Sequence, residues 1–321
     1  MSAEGQVLIQ RCTATVIQDL GRFGYVGYGI PTNGAADRFA YLAGQALLAC
    51  EQPLPAIEIT AFDFLMSVSR DLDICITGAP ADVLVGGREA AMWETLRIHA
   101  GEALRVSHIR RGLRVYIAFA ARMVVPIVLG SCSWDSVSQL GIALYSGQEV
   151  DLVDVRPPLP APRTMPLDAI PDYGTPWSIH VSSGPDHGRF PKSLEQLLDD
   201  EYMVSPQSNH VGIRLEGPAF SGVEVPEQLS RGVGAGAVEL LPSGQPLVLH
   251  RGRGVTAGYP IIAVVTSADL DRMGQVRPGD RVRFYQVSED MGVRAYRKQF
   301  DVLESLGLKV EGGLISLLQS H

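Results

Sequence analysis

The chain has 321 residues, which is enough for one large domain or two compact ones. Hydrophobic residues make up 46% of it and charged residues 19%, a balance typical of a globular protein with a substantial core. The net charge of −8, without any block of like charge, argues against a nucleic-acid-binding surface.

Targeting and redox signals are absent from the sequence. The N-terminal residues MSAEGQVLIQRC lack the basic start and apolar stretch of a secretory signal. The longest apolar stretch, 115–130, is interrupted by Arg122 and Pro126, so it is too broken to span a membrane. The cysteines form no Cys-x-x-Cys pair, which favours reduced thiols. We therefore expect a cytoplasmic protein with no membrane segment.

A glycine-rich run, DLGRFGYVGYGIPTNGAADR at 19–38, precedes the first predicted helix. Glycine at this density lets the backbone adopt positive φ and approach a ligand or another chain closely. Asn33 is predicted to cap a helix at 35–50, where apolar residues recur on one face. A tight strand–loop–helix junction without a ligand is the alternative.

Most of the remaining chain is predicted to be β-strand. Apolar and polar residues alternate at 73–78, 104–107 and 281–285, and 34 Gly and 21 Pro supply turns. Gly followed by a polar residue and an alternating strand recurs at 101–106, 147–152 and 279–284, which a common turn explains as well as a repeat does. The sequence thus predicts a mainly β fold with a few helices, the later ones at 192–202, 267–273 and 290–306.

A proline-rich segment suggests a domain boundary. Seven prolines fall within 156–176, and such a segment favours an extended spacer over a regular strand. We predict an N-terminal subdomain at 1–155, a linker at 156–176, and a C-terminal subdomain at 177–321 that includes a C-terminal helix.

Several familiar sites are missing from the sequence. It has no GxxxxGK[ST] phosphate loop, no HExxH and no Met-Lys-Met biotinylation site, so we expect neither a bound metal nor a covalently attached cofactor. Glycine groups at 232–236 and 252–254 suggest phosphate loops only superficially, because neither clearly opens a helix. Cys132 is a candidate nucleophile, but nothing in the sequence lowers its pKa, and a buried thiol is the preferred interpretation.

The segment Gly-Pro-Asp-His-Gly-Arg-Phe at 184–190 contains candidate catalytic groups. Asp186 could orient His187 as a general base, and Arg189 could hold a carboxylate or phosphate through its planar set of donors. The alternative is structural: Asp186 and His187 close a turn while Arg189 pairs with an acid.

Three further polar residues lie in two other motifs. In PQSNHVGIRLEG at 206–217, Asn209 offers both a donor and an acceptor and could polarise a substrate carbonyl. Arg214 alternates with apolar neighbours and could contact an anion or belong to a buried ion pair. Arg253 lies between two glycines and could contact a substrate or be a solvated loop arginine.

Together these segments resemble a known family from about Val16 to Ser288. The evidence is the glycine-rich run, the Gly-Pro turn ending in Phe190, and the matching residues Ser208, Asn209, Gly212, Arg214, Leu215, Gly217, Gly244, Gln245, Pro246, Thr256, Gly258, Tyr259 and Pro260. The family is called allophanate hydrolase subunit 2, or biotin-dependent carboxyltransferase. It includes the antagonist subunit of a kinase inhibitor, the C subunit of 5-oxoprolinase and half of the urea carboxylase carboxyltransferase domain. The resemblance implies two packed β-barrel subdomains of cyclophilin-like type.

The resemblance also implies a function. The chain would be a subunit of a heteromeric cytoplasmic enzyme that acts on an amide, lactam or urea-like substrate. Its partners would be a first-subunit homologue and a third hydrolase or biotin-carrying subunit. Either ATP would activate a lactam carbonyl, or carboxybiotin supplied by another protein would donate its carboxyl group. The implied catalytic residues are Asp186, His187, Asn209, Arg214 and Arg253; the implied substrate-binding residues are Arg189, Thr256, Tyr259 and Asn33.

The sequence departs from the family pattern at several positions, and those whose meaning stays open are Trp134, His210, Arg231, Glu239, Gly252 and Gly254. A site that lost such contacts would lose about 1–3 kcal/mol for each buried partner left unpaired. The departures therefore predict either an altered specificity or lost activity. A non-catalytic binding or regulatory subunit of the same kind of complex is the second hypothesis.

Overall fold

The computed structural model describes residues 3–220, 225 and 228–308. Within these residues the fold is mainly β, as the sequence predicts. The strands are β1 Gly5–Arg11, β2 Thr15–Gln18, β3 Ala56–Thr60, β4 Phe64–Val68, β5 Leu72–Gly78, β6 Asp82–Val85, β7 Arg88–Glu89, β8 Thr95–Ile98, β9 Ala103–Ser107, β10 Arg114–Phe119, β11 Arg122–Met123, β12 Glu149–Val153, β13 Trp177–Ser183, β14 Glu201–Val204, β15 Gly212–Glu216, β16 Arg231–Gly232, β17 Ala237–Leu240, β18 Pro246–Leu249, β19 Thr256–Ala257, β20 Ile261–Val265 and β21 Arg281–Gln286. The helices are α1 Arg38–Leu47, α2 Pro191–Asp199, α3 Ser267–Met273 and α4 Glu289–Ser305.

The chain divides into two compact units that exchange segments. The first unit contains the described residues of Met1–Phe23, Asp37–Asp172 and Phe300–His321, and the second those of Gly24–Ala36 and Tyr173–Gln299. The main division falls inside the proline-rich segment 156–176. The earlier part of that segment hydrogen-bonds to the first unit, because the Thr95 N–H donates to the Arg163 carbonyl and the Met165 N–H to the Trp93 carbonyl, both at 2.9 Å.

The first unit is built from two sheets and one buried helix. Its sheets have the strand orders β11-β12-β1-β4-β9-β6-β7 and β2-β3-β10-β5-β8. Strands β5 and β10 are buried along their whole length, and α1 packs against both. The Thr77 hydroxyl donates to the Ala40 carbonyl at 2.7 Å. Gly44 allows this close packing, since a Cβ there would lie 3.1 Å from that of Ala118.

The start of α1 corrects a prediction. Asp37, not Asn33, is the N-cap residue, and its carboxylate accepts a hydrogen bond from the Ala40 N–H at 2.9 Å. The backbone of Asp37 is extended, as N-cap geometry requires, whereas Asn33 has a left-handed φ of 57°. Asn33 therefore belongs to the loop before the helix.

The second unit is a closed barrel with the order β13-β20-β17-β18-β15-β14-β21. The barrel closes through a parallel pairing of β13 with β21, in which Ile179 lies opposite Phe284. Helix α3 agrees with the predicted 267–273. Helix α2 ends earlier than the predicted 192–202, because Tyr202 is buried in β14 and pairs with Val282 of β21.

One outer face of this barrel carries a small additional sheet. Strands β16 and β19 pair with each other, with Arg231 opposite Ala257. Beside them, an apolar cluster is formed by Val233, Ala237, Leu249 and Ile261. Because side chains alternate along β17, Glu239 lies on the same face as Ala237, opposite to Val238. Two candidate residues contact this face, since Asp186 bonds to Arg231 and Arg253 donates to the Val233 carbonyl.

Candidate functional site

The Asp186 carboxylate is bound by the start of strand β20 and by an arginine. Gly184 passes so close to β20 that a Cβ there would lie 2.3 Å from the Ile261 carbonyl oxygen. The buried Asp186 carboxylate accepts from the Ile261 N–H at 2.8 Å and from both terminal nitrogens of Arg231. Burial raises the pKa of Asp186, but the hydrogen bonds from Arg231 and Ile261 outweigh it and leave this pKa below its ordinary value.

His187 and Arg189 lie at the surface beside this carboxylate. His187 Nδ1 is 2.7 Å from the Gly184 carbonyl oxygen, so Nδ1 carries the proton and donates it there. Arg189 stacks over the Phe190 ring at 5.6 Å, and its charge helps to lower the pKa of Asp186. No acid pairs with Arg189 within the described residues. The structure thus brings Asp186 to Arg231 rather than to His187, and the general-base role of His187 stays a prediction.

Asn209 and Arg214 lie on the exposed side of β15 and of the turn before it. The Asn209 Oδ1 accepts from the Val211 N–H at 2.8 Å and from the Gly212 N–H at 3.3 Å. This turn occupies the side-chain carbonyl, leaving the NH₂ group as the part that could meet a substrate. Arg214 is exposed, between the buried residues Ile213 and Leu215. The alternative of a buried ion pair is therefore wrong for Arg214.

Two buried arginines lie in the loop after β18, and among the described residues only one of them is paired with a carboxylate. Arg253 is only 8% exposed, and its Nε donates to the Val233 carbonyl at 2.9 Å. Arg251, equally buried, pairs with Asp271 at 2.5 Å and donates from Nε to the Ala36 carbonyl at 3.3 Å. Burial first, and the charge of Arg251 second, lower the pKa of Arg253.

This arrangement leaves a buried positive charge without a carboxylate partner among the described residues. An arginine stays protonated in a protein, so Arg253 remains a cation, and the prediction of a solvated loop arginine is wrong. A guanidinium in such surroundings favours an anionic ligand with planar oxygens. Asn33 lies three residues before Ala36, in the segment that contacts the same loop.

Thr256 and Tyr259 flank this loop on the other side. Thr256 is exposed on β19 and pairs through its backbone with Gly232, and Tyr259 is 40% exposed. Both side chains are therefore accessible to a ligand. Their substrate-binding role stays a prediction.

Two departures from the family pattern, His210 and Gly252, lie in contact with each other. The Gly252 N–H donates to the His210 carbonyl at 3.0 Å. A Cβ at Gly252 would lie 2.3 Å from the His210 ring carbon Cδ2. The imidazole thus takes the space that a side chain at position 252 would need.

Glu239 is the member of the site that sequence reasoning missed, having noted it only as a departure. It is 2% exposed, and its Oε1 is fully buried without a hydrogen-bond partner in the described part of the chain. Burial raises the pKa of Glu239 to about 7, although the charge of Arg231 opposes this. One sequence feature could have indicated its burial: Glu239 is the single carboxylate in a strand whose other three residues are apolar.

Cys132 is the buried thiol that the sequence favours. It is fully buried in the first unit and donates to the Asp19 carboxylate at 3.3 Å. Burial and the adjacent Asp19 charge raise the pKa of Cys132 far above its ordinary value, so the thiol stays protonated.

Membrane-spanning helices and metal clusters are both absent from residues 3–220, 225 and 228–308. None of the helices there has the length and apolarity needed to cross a membrane. The same residues contain no cluster of three or more His, Cys, Asp or Glu side chains able to hold a metal ion.

The family of the chain follows from its sequence over most of its length. The sequence model described as carboxyltransferase domain, subdomain A and B, matches residues 28–286. The chain belongs to this family, which confirms the resemblance seen in the sequence.

Two bacterial relatives match this chain over nearly their whole length. The C subunit of 5-oxoprolinase from Haemophilus influenzae is 29% identical over 301 residues, covering 90% of this chain and 94% of the relative. That from Escherichia coli is 30% identical, with 92% and 96% covered. The urea amidolyase of Saccharomyces cerevisiae is 27% identical over 90% of this chain, but the match spans only 17% of that protein.

Solved structures show the same fold. The urea amidolyase of Kluyveromyces lactis superposes with a TM-score of 0.86 at 23% identity over 96% of this chain, which is 20% of that protein. The protein TTHA0988 superposes with a TM-score of 0.80 at 27% identity, covering 87% of this chain and 55% of its own. The chain thus spans about a fifth of the urea amidolyase and just over half of TTHA0988.

Proposed function

We propose that this chain is a subunit of a 5-oxoprolinase-type enzyme, acting on a lactam. The observation that supports this most directly is the extent of the match. The chain pairs with 94% and 96% of two proteins named as the C subunit of 5-oxoprolinase, but with only 17% of a urea amidolyase. The identity to these two subunits, 29% and 30%, is also slightly higher than the 27% to the urea amidolyase.

The charge of the site fits an anionic group. Arg251 is paired with Asp271, whereas the buried Arg253 has no carboxylate partner in the described part of the chain, so a carboxylate or phosphoryl oxygen would complete the charge balance. In the proposed reaction ATP supplies the activation of the lactam carbonyl. Arg253 would hold and orient the anionic group, and the NH₂ group of Asn209 would donate to a substrate oxygen. Carboxybiotin supplied by another protein is the alternative donor, and its carboxylate would fit the same cation.

The proposal includes partners and location. The working enzyme would contain a first-subunit homologue and a third subunit, either a hydrolase or a biotin carrier, and would lie in the cytoplasm. The name of the two bacterial relatives, which designates one subunit of an enzyme, supports a complex of several subunits.

A specific observation also favours the second candidate, a binding subunit without chemistry of its own. Asp186 is held by Arg231 and by the Ile261 N–H, and the Asn209 carbonyl oxygen is used within its own turn. Two of the predicted catalytic groups are thus engaged inside the protein. Such groups would position neighbours rather than react.

Purification of the native complex, followed by mass spectrometry and a turnover assay, tests these candidates. A first-subunit homologue, a hydrolase and ATP hydrolysis that depends on 5-oxoproline are the expected results. A biotinylated chain in the complex would instead indicate carboxyl transfer. Recovery of this chain alone would contradict a shared complex.

Variants of the same complex then separate catalysis from binding. Arg253→Ala should reduce turnover by about 10–100-fold, the effect of removing one charged contact, while the complex stays assembled. Arg88→Ala, at an exposed arginine of the first unit, is the matched control and should leave turnover unchanged. Full turnover in Arg253→Ala would favour the binding subunit.

A further inference from the structure

Glu239 is a buried carboxyl group whose Oε1 has no hydrogen-bond partner among the described residues. The residue is 2% exposed. Buried polar groups in proteins are nearly always paired, so an unpaired one calls for a ligand or a water. The carboxyl lies on the outer face of β17, with Leu247 of β18 and Ile261 of β20 opposite it in register.

The groups around Glu239 explain why its pKa is raised. The neighbours in β18 and β20 are apolar, and the one charge that acts on it is Arg231 of β16. That guanidinium is already bound by two hydrogen bonds to Asp186 in the turn after β13. Two carboxyls therefore face one cation. Asp186 takes the ionised state, and Glu239 titrates near neutral pH.

A protonated carboxyl has a donor and an acceptor side by side. An amide whose N–H and C=O lie on the same side presents the complementary acceptor and donor. A lactam ring forces this cis arrangement, and urea has it as well. Arg231 can contact the same ligand. Its side chain is 38% exposed, and Asp186 accepts from only two of the five N–H donors that an arginine has.

We propose that protonated Glu239 recognises the cis-amide group of the ligand, donating its hydroxyl to the ligand carbonyl and accepting from the ligand N–H. Arg231 binds a carboxylate on the same ligand. This pairing of groups fits a lactam that carries a carboxylate, such as 5-oxoproline, better than urea, which has none. The inference rests on the proposed lactam function and adds the residues that select the substrate.

Calorimetric binding of 5-oxoproline to the purified native complex tests the proposal through its pH dependence. Because Glu239 binds only when protonated, affinity should fall about tenfold between pH 6 and pH 8, as the protonated fraction does for a pKa near 7. Glu239→Gln keeps a donor and an acceptor in the same shape but cannot ionise. This variant should bind at both pH values with affinity equal within about twofold.

Two further variants serve as controls. Glu239→Leu removes both hydrogen-bonding groups and should bind about tenfold or more weakly at pH 6. Glu216→Gln, at an exposed glutamate of β15, should keep the wild-type pH dependence. Circular dichroism confirms that each variant is folded, and Glu239→Gln keeps the test valid should the leucine variant unfold.

The outcomes separate the inference from the function on which it rests. Binding of 5-oxoproline that is independent of pH in the wild type, or equally pH-dependent in Glu239→Gln, would overturn the role of Glu239 alone. Urea bound with the expected pattern, and no binding of 5-oxoproline, would overturn the lactam function and support Glu239 as the amide-recognising residue. No binding of either compound would overturn both.

Discussion

Replacing Glu239 by glutamine should change how the stability of the barrel depends on pH. The carboxyl has an ordinary pKa of 4.5, and folding raises it to about 7. The folded state therefore binds the proton more tightly, and this contribution to stability is present in full below pH 4.5 and is lost as the pH rises through 7. Each pKa unit corresponds to about 1.4 kcal/mol, so the loss over this rise is at most about 3.5 kcal/mol.

Hydrogen exchange of peptides that cover β17 and β18 measures the effect in the barrel itself. Between pH 5 and pH 8 the free energy of opening should fall by about 2 kcal/mol more in the wild type than in Glu239→Gln. The comparison between variants removes the contributions of all other titrating groups and the pH dependence of intrinsic exchange. Equal changes in the two proteins would refute the assignment of a raised pKa to Glu239.

Three other predictions concern buried groups. Asp271→Ala should destabilise the barrel by about 3–5 kcal/mol, because it leaves the buried Arg251 without its carboxylate. Urea unfolding measures this change, and an effect below about 1 kcal/mol would show that water or another acid replaces Asp271. Gly252→Ala should lower the free energy of unfolding because its Cβ meets the His210 ring, and the added change His210→Ala should recover part of that stability. Strictly additive effects of the two substitutions on stability would contradict the contact. Cys132 should resist alkylation at pH 8 in the folded chain and react after denaturation, because its thiol is buried and protonated. Peptide mass spectrometry measures the labelling, and rapid labelling of the native protein would disprove this state of the thiol.

Local periodicity predicted much of the secondary structure. The alternation at 281–285 corresponds to β21, and the three glycines that precede similar strands, Gly101, Gly147 and Gly279, all have left-handed φ values of 80–91°. A common turn into a strand accounts for this recurrence. The cap of α1 was misassigned because Asn33 and Asp37 are both good capping residues, and backbone geometry, which sequence does not display, decides between them.

The site was less predictable because its organisation depends on contacts between distant segments. The partner of Asp186 is Arg231, 45 residues later, and not the adjacent His187. Likewise, the sequence left Arg253 as either a substrate contact or a solvated loop arginine, because no sequence feature shows its burial. Glu239 was visible only as a departure from a pattern, since the apolar surroundings that raise its pKa come from other strands.

The exchange of segments between the two units has a consequence for synthesis on the ribosome. The chain passes from one unit to the other after Phe23, Ala36, Asp172 and Gln299. Domains that are continuous in sequence can fold one after another as they emerge, the N-terminal one first. Here the first unit still lacks the segment that begins at Phe300 when the whole second unit has been made. The unit translated first is therefore the last to receive all of its parts, although every strand of its two sheets precedes the barrel in the chain.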